Sequence, residues 1–347
     1  MLKRTYTLLI IAALAFVAGC QKQDSTTTNE GGAGSCIPIT KPDEFIFLAW
    51  YEIIDIYEES MLEEAEALLT LGDRVGINII TECDELHDPA MTKMAVETMS
   101  KHPSLYAYNV WDDWVEDLYL ETVRNFLKTV PVSFLSFDNY PVIINENGER
   151  VLREAWYHNL EDIRTAAKEA KVPIWSFALA KAHNPYPTPT LADLRVQHFS
   201  NLVYGAVAFQ YFTTRAIVWN DKIVSHIYPL VKQVNTELKQ MEPIFLGADI
   251  KDIWHTGESI PRGTKALTTY PAGISKIETG DGGTVVSYFT NKGKQYIAFV
   301  NRSCTAETTL EITFDTEAVH VAKDGTETPV APSYTMEAGD IRIFSWK

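Results

Sequence analysis

Two aspartates stand back to back in Trp111-Asp112-Asp113-Trp114, after a stretch (residues 102–110) that carries almost no charge. Other acids occupy the same kind of position. Glu52 follows Trp50 and Tyr51, Glu82 and Asp84 close an Ile-Ile-Thr run, and Asp138 follows Phe134-Leu135-Ser136-Phe137. Carboxyl groups gathered at one mouth can do general acid–base work, one staying protonated near neutral pH while another stays ionised. Burial or a neighbouring negative charge supplies that difference in pKa. Asp112 and Asp113 point to opposite faces of a regular strand, so they do not form such a pair with each other. Asp113 can instead converge with Asp138 or with Glu82. Each acid also has a plainer use. An aspartate at a strand end suits the N-cap of the next helix, and Asp138, three residues before Pro141, suits an Asx turn. Trp111, Tyr140, Trp175 and Tyr211 are candidate walls of a cleft, although aromatic side chains serve equally well as core. His183, on a proline-rich loop, is within reach of the same mouth or simply exposed.

The elements that must position these residues follow from periodicity. Continuous apolar runs at 45–53, 75–85, 105–113, 132–141, 172–180 and 205–212 suit strands covered on both faces. Between and after them, 58–71, 89–100, 118–130, 156–171, 191–202 and 222–241 have helical spacing. Such alternation predicts parallel strands with crossover helices. No glycine-rich phosphate loop follows the first strand, which argues against an open dinucleotide-binding sheet. Acids at strand C-terminal ends match the place where a (β/α) barrel keeps its active site. The expected fold class is therefore α/β, a TIM-type (β/α) barrel over 41–243, reduced or distorted if the six visible strands are all it has. Beyond 243 the runs alternate apolar and polar, with Asn291-Lys292-Gly293-Lys294 as a hairpin loop. That texture predicts a small C-terminal antiparallel β-sandwich over 244–347.

The first residues read as targeting rather than structure. Lys3 and Arg4 precede an apolar run too short to span a bilayer, and small residues precede Cys20. Val17-Ala18-Gly19-Cys20 resembles a bacterial lipobox, which implies a signal peptide over 1–19 and a diacylglycerol on Cys20. Gln21, where an aspartate would suggest inner-membrane retention, favours the outer membrane. Residues 21–35 are polar and glycine-rich, so 20–40 reads as a lipidated cysteine and a flexible tether. The expected location is the cell envelope, with a membrane contact through the lipid anchor.

The chain has 46 acidic and 30 basic residues, a net charge of −16, and loss of the leader removes two of the bases. Such a balance does not suit nucleic acid or anionic lipid and is compatible with neutral ligands such as sugars. Besides Cys20, the cysteines Cys36, Cys83 and Cys304 are too few and scattered for a disulfide framework. Without a CxxC, HExxH or EF-hand pattern, neither a metal nor another cofactor is expected. No Gly-X-Ser-X-Gly elbow marks a serine hydrolase.

Several segments together resemble one family. His102-Pro103-Ser104-Leu105-Tyr106, running on to Asp112-Asp113-Trp114, is similar to the His-Pro-Ser-Leu-Tyr…Asp-Glu-Pro segment of barrel proteins related to clan A glycoside hydrolases, abundant among lipoproteins of gut Bacteroidetes. Ser136-Phe137-Asp138-Asn139-Tyr140-Pro141, Pro173-Ile174-Trp175 and the stretch from Leu194-Arg195-Val196-Gln197 to Gln210-Tyr211-Phe212 resemble further segments of that family, in the same order. The resemblance implies a carbohydrate substrate or ligand. It gives Asp113 the general acid/base role. At the mouth of such a barrel the expected partner of Asp113 is Asp138 or Glu82, and the expected substrate contacts are Asp112, Trp111, Tyr140, Trp175, Gln210, Tyr211 and Glu52. Two departures stand out. Asp113 replaces a glutamate one methylene longer, with Trp114 in place of proline. The late strand, where such enzymes keep a nucleophilic glutamate, has Gln210 and no acid. Two readings follow: a glycoside hydrolase acting on an oligo- or polysaccharide, or a non-catalytic glycan-binding barrel lipoprotein.

Overall fold

The computed structural model describes residues 10–13, 45–50, 78–82, 105–109, 119–129, 132–212, 218–220 and 223–347. They belong to two compact units, one within Met1–Pro38 and Ile46–Asp113, the other within Ile39–Phe45 and Trp114–Lys347.

In the first unit, β1 (Ile10–Ala13) lies antiparallel between β2 (Ile46–Trp50) and β3 (Asn78–Glu82), with Ile11 opposite both Trp50 and Ile80. β3 runs parallel to β4 (Leu105–Asn109), Glu82 opposite Asn109. Because β1 falls inside the segment read as a signal peptide, its pairing belongs to the chain with that segment attached.

The second unit begins with α1 (Tyr119–Thr129), then β5 (Leu135–Phe137), the hairpin β6 (Val142–Ile144) and β7 (Arg150–Leu152), and α2 (Trp156–Ala170). It continues through β8 (Ile174–Leu179), α3 (Leu191–Val203), β9 (Ala206–Phe212), the short pair β10 (Val218–Asn220) and β11 (Ile223–Val224), and α4 (Tyr228–Phe245). Strands β5, β8 and β9 form a parallel sheet with β8 in the middle. All six residues of β8 are buried, as its unbroken apolar run requires of a strand covered on both faces.

Local chemistry sets the helix ends. Thr190 accepts from the Asp193 amide at 3.2 Å while the Asp193 carboxylate accepts from the Thr190 amide at 2.7 Å, a capping box that starts α3. Lys171, in the left-handed region at φ 58°, ends α2. Helical spacing from 222 overran the true start of α4. That helix starts at Tyr228 because Pro229, which has no amide hydrogen to lose, fits only its first turn.

The C-terminal strands are β12 (Asp249–His255), β13 (Ile274–Thr279), β14 (Thr284–Asn291), β15 (Lys294–Asn301), β16 (Thr308–Phe314), β17 (Ala318–Val321), β18 (Glu327–Pro329), β19 (Tyr334–Met336) and β20 (Ile341–Trp346). They form two antiparallel sheets, ordered β12-β14-β15-β20-β17-β18 and β13-β16-β19. Ile274, Ile277, Leu310, Ile312 and Met336 of the smaller sheet share one core with Val286, Ile297, Phe299, Phe344 and Trp346 of the larger. Lys292 (φ 49°) and Gly293 (φ 80°) make the tight turn between β14 and β15, a backbone shape that glycine adopts freely.

Charged groups join these sheets to the helices. Arg195 of α3, 7% exposed, donates to Glu237 of α4 at 3.0 and 2.5 Å and to Glu337 at 3.0 Å. Lys323 reaches both Glu237 (3.2 Å) and Asp340 (2.6 Å). A closed barrel, expected from the alternation, is not seen among the described residues. The intervening segments 58–71 and 89–100 lie outside them.

Candidate functional site

Parallel strands send successive side chains to opposite faces, so the register of β5, β8 and β9 divides the candidates. Trp175 is in register with Ser136 and Ala208, and Phe177 with Gln210. On this face Gln210, 1% exposed, donates its amide to the Ser136 hydroxyl at 2.9 Å. Trp175, fully buried, stacks on Phe134 with ring centroids 3.8 Å apart. On the other face Phe209 and Tyr211 meet His198 of α3 edge-on, at 5.3 and 4.7 Å. The Tyr211 hydroxyl donates to Asn235 of α4 at 2.7 Å, and burial pushes its pKa far up. Tyr211 therefore faces the helices, and its neighbour Phe212 turns the opposite way.

The C-terminal ends of the three strands bring a different group together. Asp138, half-buried just past β5, accepts a hydrogen bond from the Tyr140 hydroxyl at 2.8 Å. The Tyr140 ring meets Tyr186 edge-to-face at 5.8 Å and Phe212 at 6.1 Å. His183, on the loop after β8, packs against Tyr186 at 4.8 Å and Phe212 at 5.9 Å. Arg153 donates to the Tyr186 hydroxyl at 3.2 Å. The result is a carboxylate with a phenol on one oxygen, bordered by aromatic rings and an imidazole. Chemically, such a group can accept hydrogen bonds from a polyhydroxylated ligand and pack against its C–H faces.

Neighbouring elements hold the group in place. Gln197 of α3 accepts from the Leu179 amide at 2.9 Å and donates to the Asp193 carbonyl at 2.9 Å, which fixes the end of β8 where the loop departs. The β6–β7 hairpin leans on that loop through the Ile144 amide, which donates to the Pro185 carbonyl at 3.0 Å. Arg150 of β7 pairs with the buried Asp193 carboxylate.

The sequence reading therefore meets the structure unevenly. Asp138, Tyr140 and His183 come together. Trp175 and Gln210 lie deeper in the sheet, and Tyr211 points away. Glu82 closes β3 in the other unit, and only its backbone is described. Cys20, Glu52, Trp111, Asp112 and Asp113 lie outside the described residues. Tyr186, Arg153 and the hairpin went unrecognised. Asn147-Gly148 between two apolar stretches was the available hairpin signal. Among the described residues, no three or more histidine, cysteine, aspartate or glutamate side chains are grouped to hold a metal ion.

No protein-family model matches the chain, and no curated protein matches its sequence. Solved structures similar to it include a glycoside hydrolase family 5 protein from Bacteroides vulgatus, at TM-score 0.47 and 12% identity over 82% of this chain and 65% of that one. Eubacterium rectale Amy13B follows at TM-score 0.43 and 10% identity over 84% and 64%. Thermotoga maritima alpha-fucosidase is similar at TM-score 0.38 and 9% identity over 83% and 57%. The chain spans less than two thirds of the length of each. All three scores lie below 0.5.

Proposed function

We propose that the chain is a glycoside hydrolase that acts on an oligo- or polysaccharide at the cell envelope, where the lipid on Cys20 holds it to the outer membrane. The observation that carries this reading is the Tyr140–Asp138 hydrogen bond among Tyr186, Phe212 and His183, at the C-terminal edge of the parallel sheet. This edge is where (β/α) barrels and open α/β sheets place ligands. Asp138 is one carboxyl of the reaction and Asp113, from the family-like Asp112-Asp113-Trp114 segment, is its general acid. In glycosidases generally, two carboxyls about 5–5.5 Å apart give retention and a spacing of roughly 6.5–9.5 Å gives inversion. The phenol of Tyr140 holds one oxygen of Asp138 in place.

One observation favours the second reading, a barrel that binds glycan without cutting it. Gln210 occupies the late strand where related enzymes keep an acid, and its amide is committed to Ser136. A glutamine cannot ionise, so it supplies neither nucleophile nor base.

The test is hydrolysis of a panel of plant and host oligosaccharides by the full-length chain in detergent, beside Asp138→Asn and Asp113→Asn. An enzyme of this kind loses about 100-fold or more in either variant. Cleavage that survives Asp138→Asn removes Asp138 from the machinery. Saturable binding of one glycan without cleavage establishes the second reading.

A further inference from the structure

A groove of about 350 Å³ lies on the second unit, between the outer side of α2 and strand β12. Glu161, Arg164, Thr165, Lys168 and Glu169 line it from the helix, and Lys251, Asp252, Ile253 and Lys265 from the other side. Its volume falls in the range of small-molecule sites. Its charges do not follow the chain as a whole, in which acids outnumber bases 46 to 30. Four of the lining side chains are cationic and three anionic.

The pairing within the groove leaves positive charge over. Glu169 is taken by Arg124, which binds it through Nε at 2.7 Å and Nη2 at 2.5 Å. Lys251 pairs with Asp249, and Lys265 sits 3.7 Å from Asp252. Glu161 accepts from the Tyr204 hydroxyl at 2.9 Å, and that oxygen lies 3.0 Å from His255 Nε2. The Tyr204 proton goes to Glu161, so His255 Nε2 carries the hydrogen it gives to Tyr204. Burial raises the Glu161 pKa, against the opposing pull of Tyr204, Arg164 and Lys265. Arg164 and Lys168 make no ion pair among the described residues. Arg164 is half-buried and held in place, its Nη2 donating to the Ile250 carbonyl at 3.0 Å. A guanidinium fixed by one bond, near Glu161 but, among the described residues, hydrogen-bonded to no carboxylate and with its buried Nε unpartnered, is prepared for an oxyanion, which its fork geometry matches.

We infer that this groove binds a small molecule carrying an oxyanion, of the size of a single sugar ring bearing a carboxylate or a phosphate. Arg164 and Lys168 take the oxyanion, while Thr165 and Glu161 offer hydrogen-bonding partners to hydroxyl groups beside it. The site is separate from the aromatic group around Asp138 and does not depend on the reading given to that group.

Calorimetric titration of the full-length chain in detergent tests this, with glucuronate, glucose 6-phosphate, inorganic phosphate and glucose as probes at low salt. The expected result is saturable binding of at least one of the two charged sugars, with glucose silent. Binding should weaken about tenfold in Arg164→Gln and less in Lys168→Gln. Phosphate alone binding as well as the charged sugars shows that the oxyanion is the recognised part; its failure beside a bound sugar shows that the hydroxyl contacts are required as well. No saturable binding of any charged probe overturns the inference, as does binding unchanged in the Arg164→Gln, Lys168→Gln double variant. Lys168 is exposed, so its single variant keeps the test decisive if Arg164→Gln folds poorly.

Discussion

Tyr140→Phe removes one hydroxyl and leaves a ring. The ring keeps its contacts with Tyr186 at 5.8 Å and Phe212 at 6.1 Å, and the 2.8 Å bond to Asp138 is lost. A hydrogen bond to an ionised group contributes about 1.5–3 kcal/mol. Asp138 is half-buried, so water replaces part of that bond, and the expected loss is about 1–2 kcal/mol. The assay is a double-mutant cycle of wild type, Tyr140→Phe, Asp138→Asn and the double variant, read by denaturant unfolding at neutral pH. If the bond between the two side chains contributes as reasoned, the double change costs less than the sum of the single ones, with a coupling of about 1–2 kcal/mol. A coupling below about 0.5 kcal/mol, the scatter expected of independent sites, refutes the reasoning. The same four proteins separate positioning from chemistry in the glycan assay. Tyr140→Phe should cost less than Asp138→Asn and add nothing to it.

Three further outcomes follow from groups elsewhere in the second unit. Arg195→Ala should lower stability by about 1.5–3 kcal/mol in chemical unfolding, because Glu237 loses its bidentate partner and keeps, among the described residues, only Lys323 and Gln233. Burial pushes the Asp340 carboxyl up, but Lys323 and Arg342 outweigh it and hold its pKa below the usual 3.8. Its stabilising contribution is therefore present above pH 3.8 and lost as pH falls through the lower folded value, and Asp340→Asn should remove that part of the acid sensitivity. Burial lowers the His198 pKa from 6.5 to about 3, so the unfolded chain takes the proton first. Stability should fall between pH 6.5 and 3 by up to about 1.4 kcal/mol per pH unit. His198→Phe should flatten that slope, with His255, also pushed down to about 3, keeping its own share. An acid-unfolding profile identical to wild type would show that His198 is not buried as the neutral form.

The elements that were legible in sequence are those whose signals are local. α3 has Thr190 and Asp193 at capping-box spacing, and the β14–β15 hairpin has a glycine where the turn needs φ 80°. The less legible ones depend on distant partners. Nothing near Gln197 in sequence says that its carboxamide holds the last amide of β8. Tyr186 lies between two prolines and reads as loop, yet it meets Tyr140, forty-six positions earlier, edge-on. The start of α4 was misjudged by six residues because apolar spacing continued past the point where Pro229 forces the first turn.

The candidate group at the strand ends was legible along the strands and illegible across them. A strand buried on one face alternates, and the alternation tells which residues point inward. β8 is buried at every position, and β9 at five of seven, so alternation is erased. Trp175, Gln210 and Tyr211 consequently looked alike in sequence, although the register divides Trp175 and Gln210 from Tyr211. Position along the strand survives this loss, because polar groups concentrate where a parallel strand leaves its covered layer. That is why Asp138 and Tyr140 are candidates read from the end of β5, and why Phe212, the last residue of β9, meets Tyr140 while Tyr211 turns to Asn235. The same reasoning bears on Gln210. Two residues before the strand end and hydrogen-bonded to Ser136 within the sheet, it is placed to hold β9 against β5 rather than to reach a ligand at the edge.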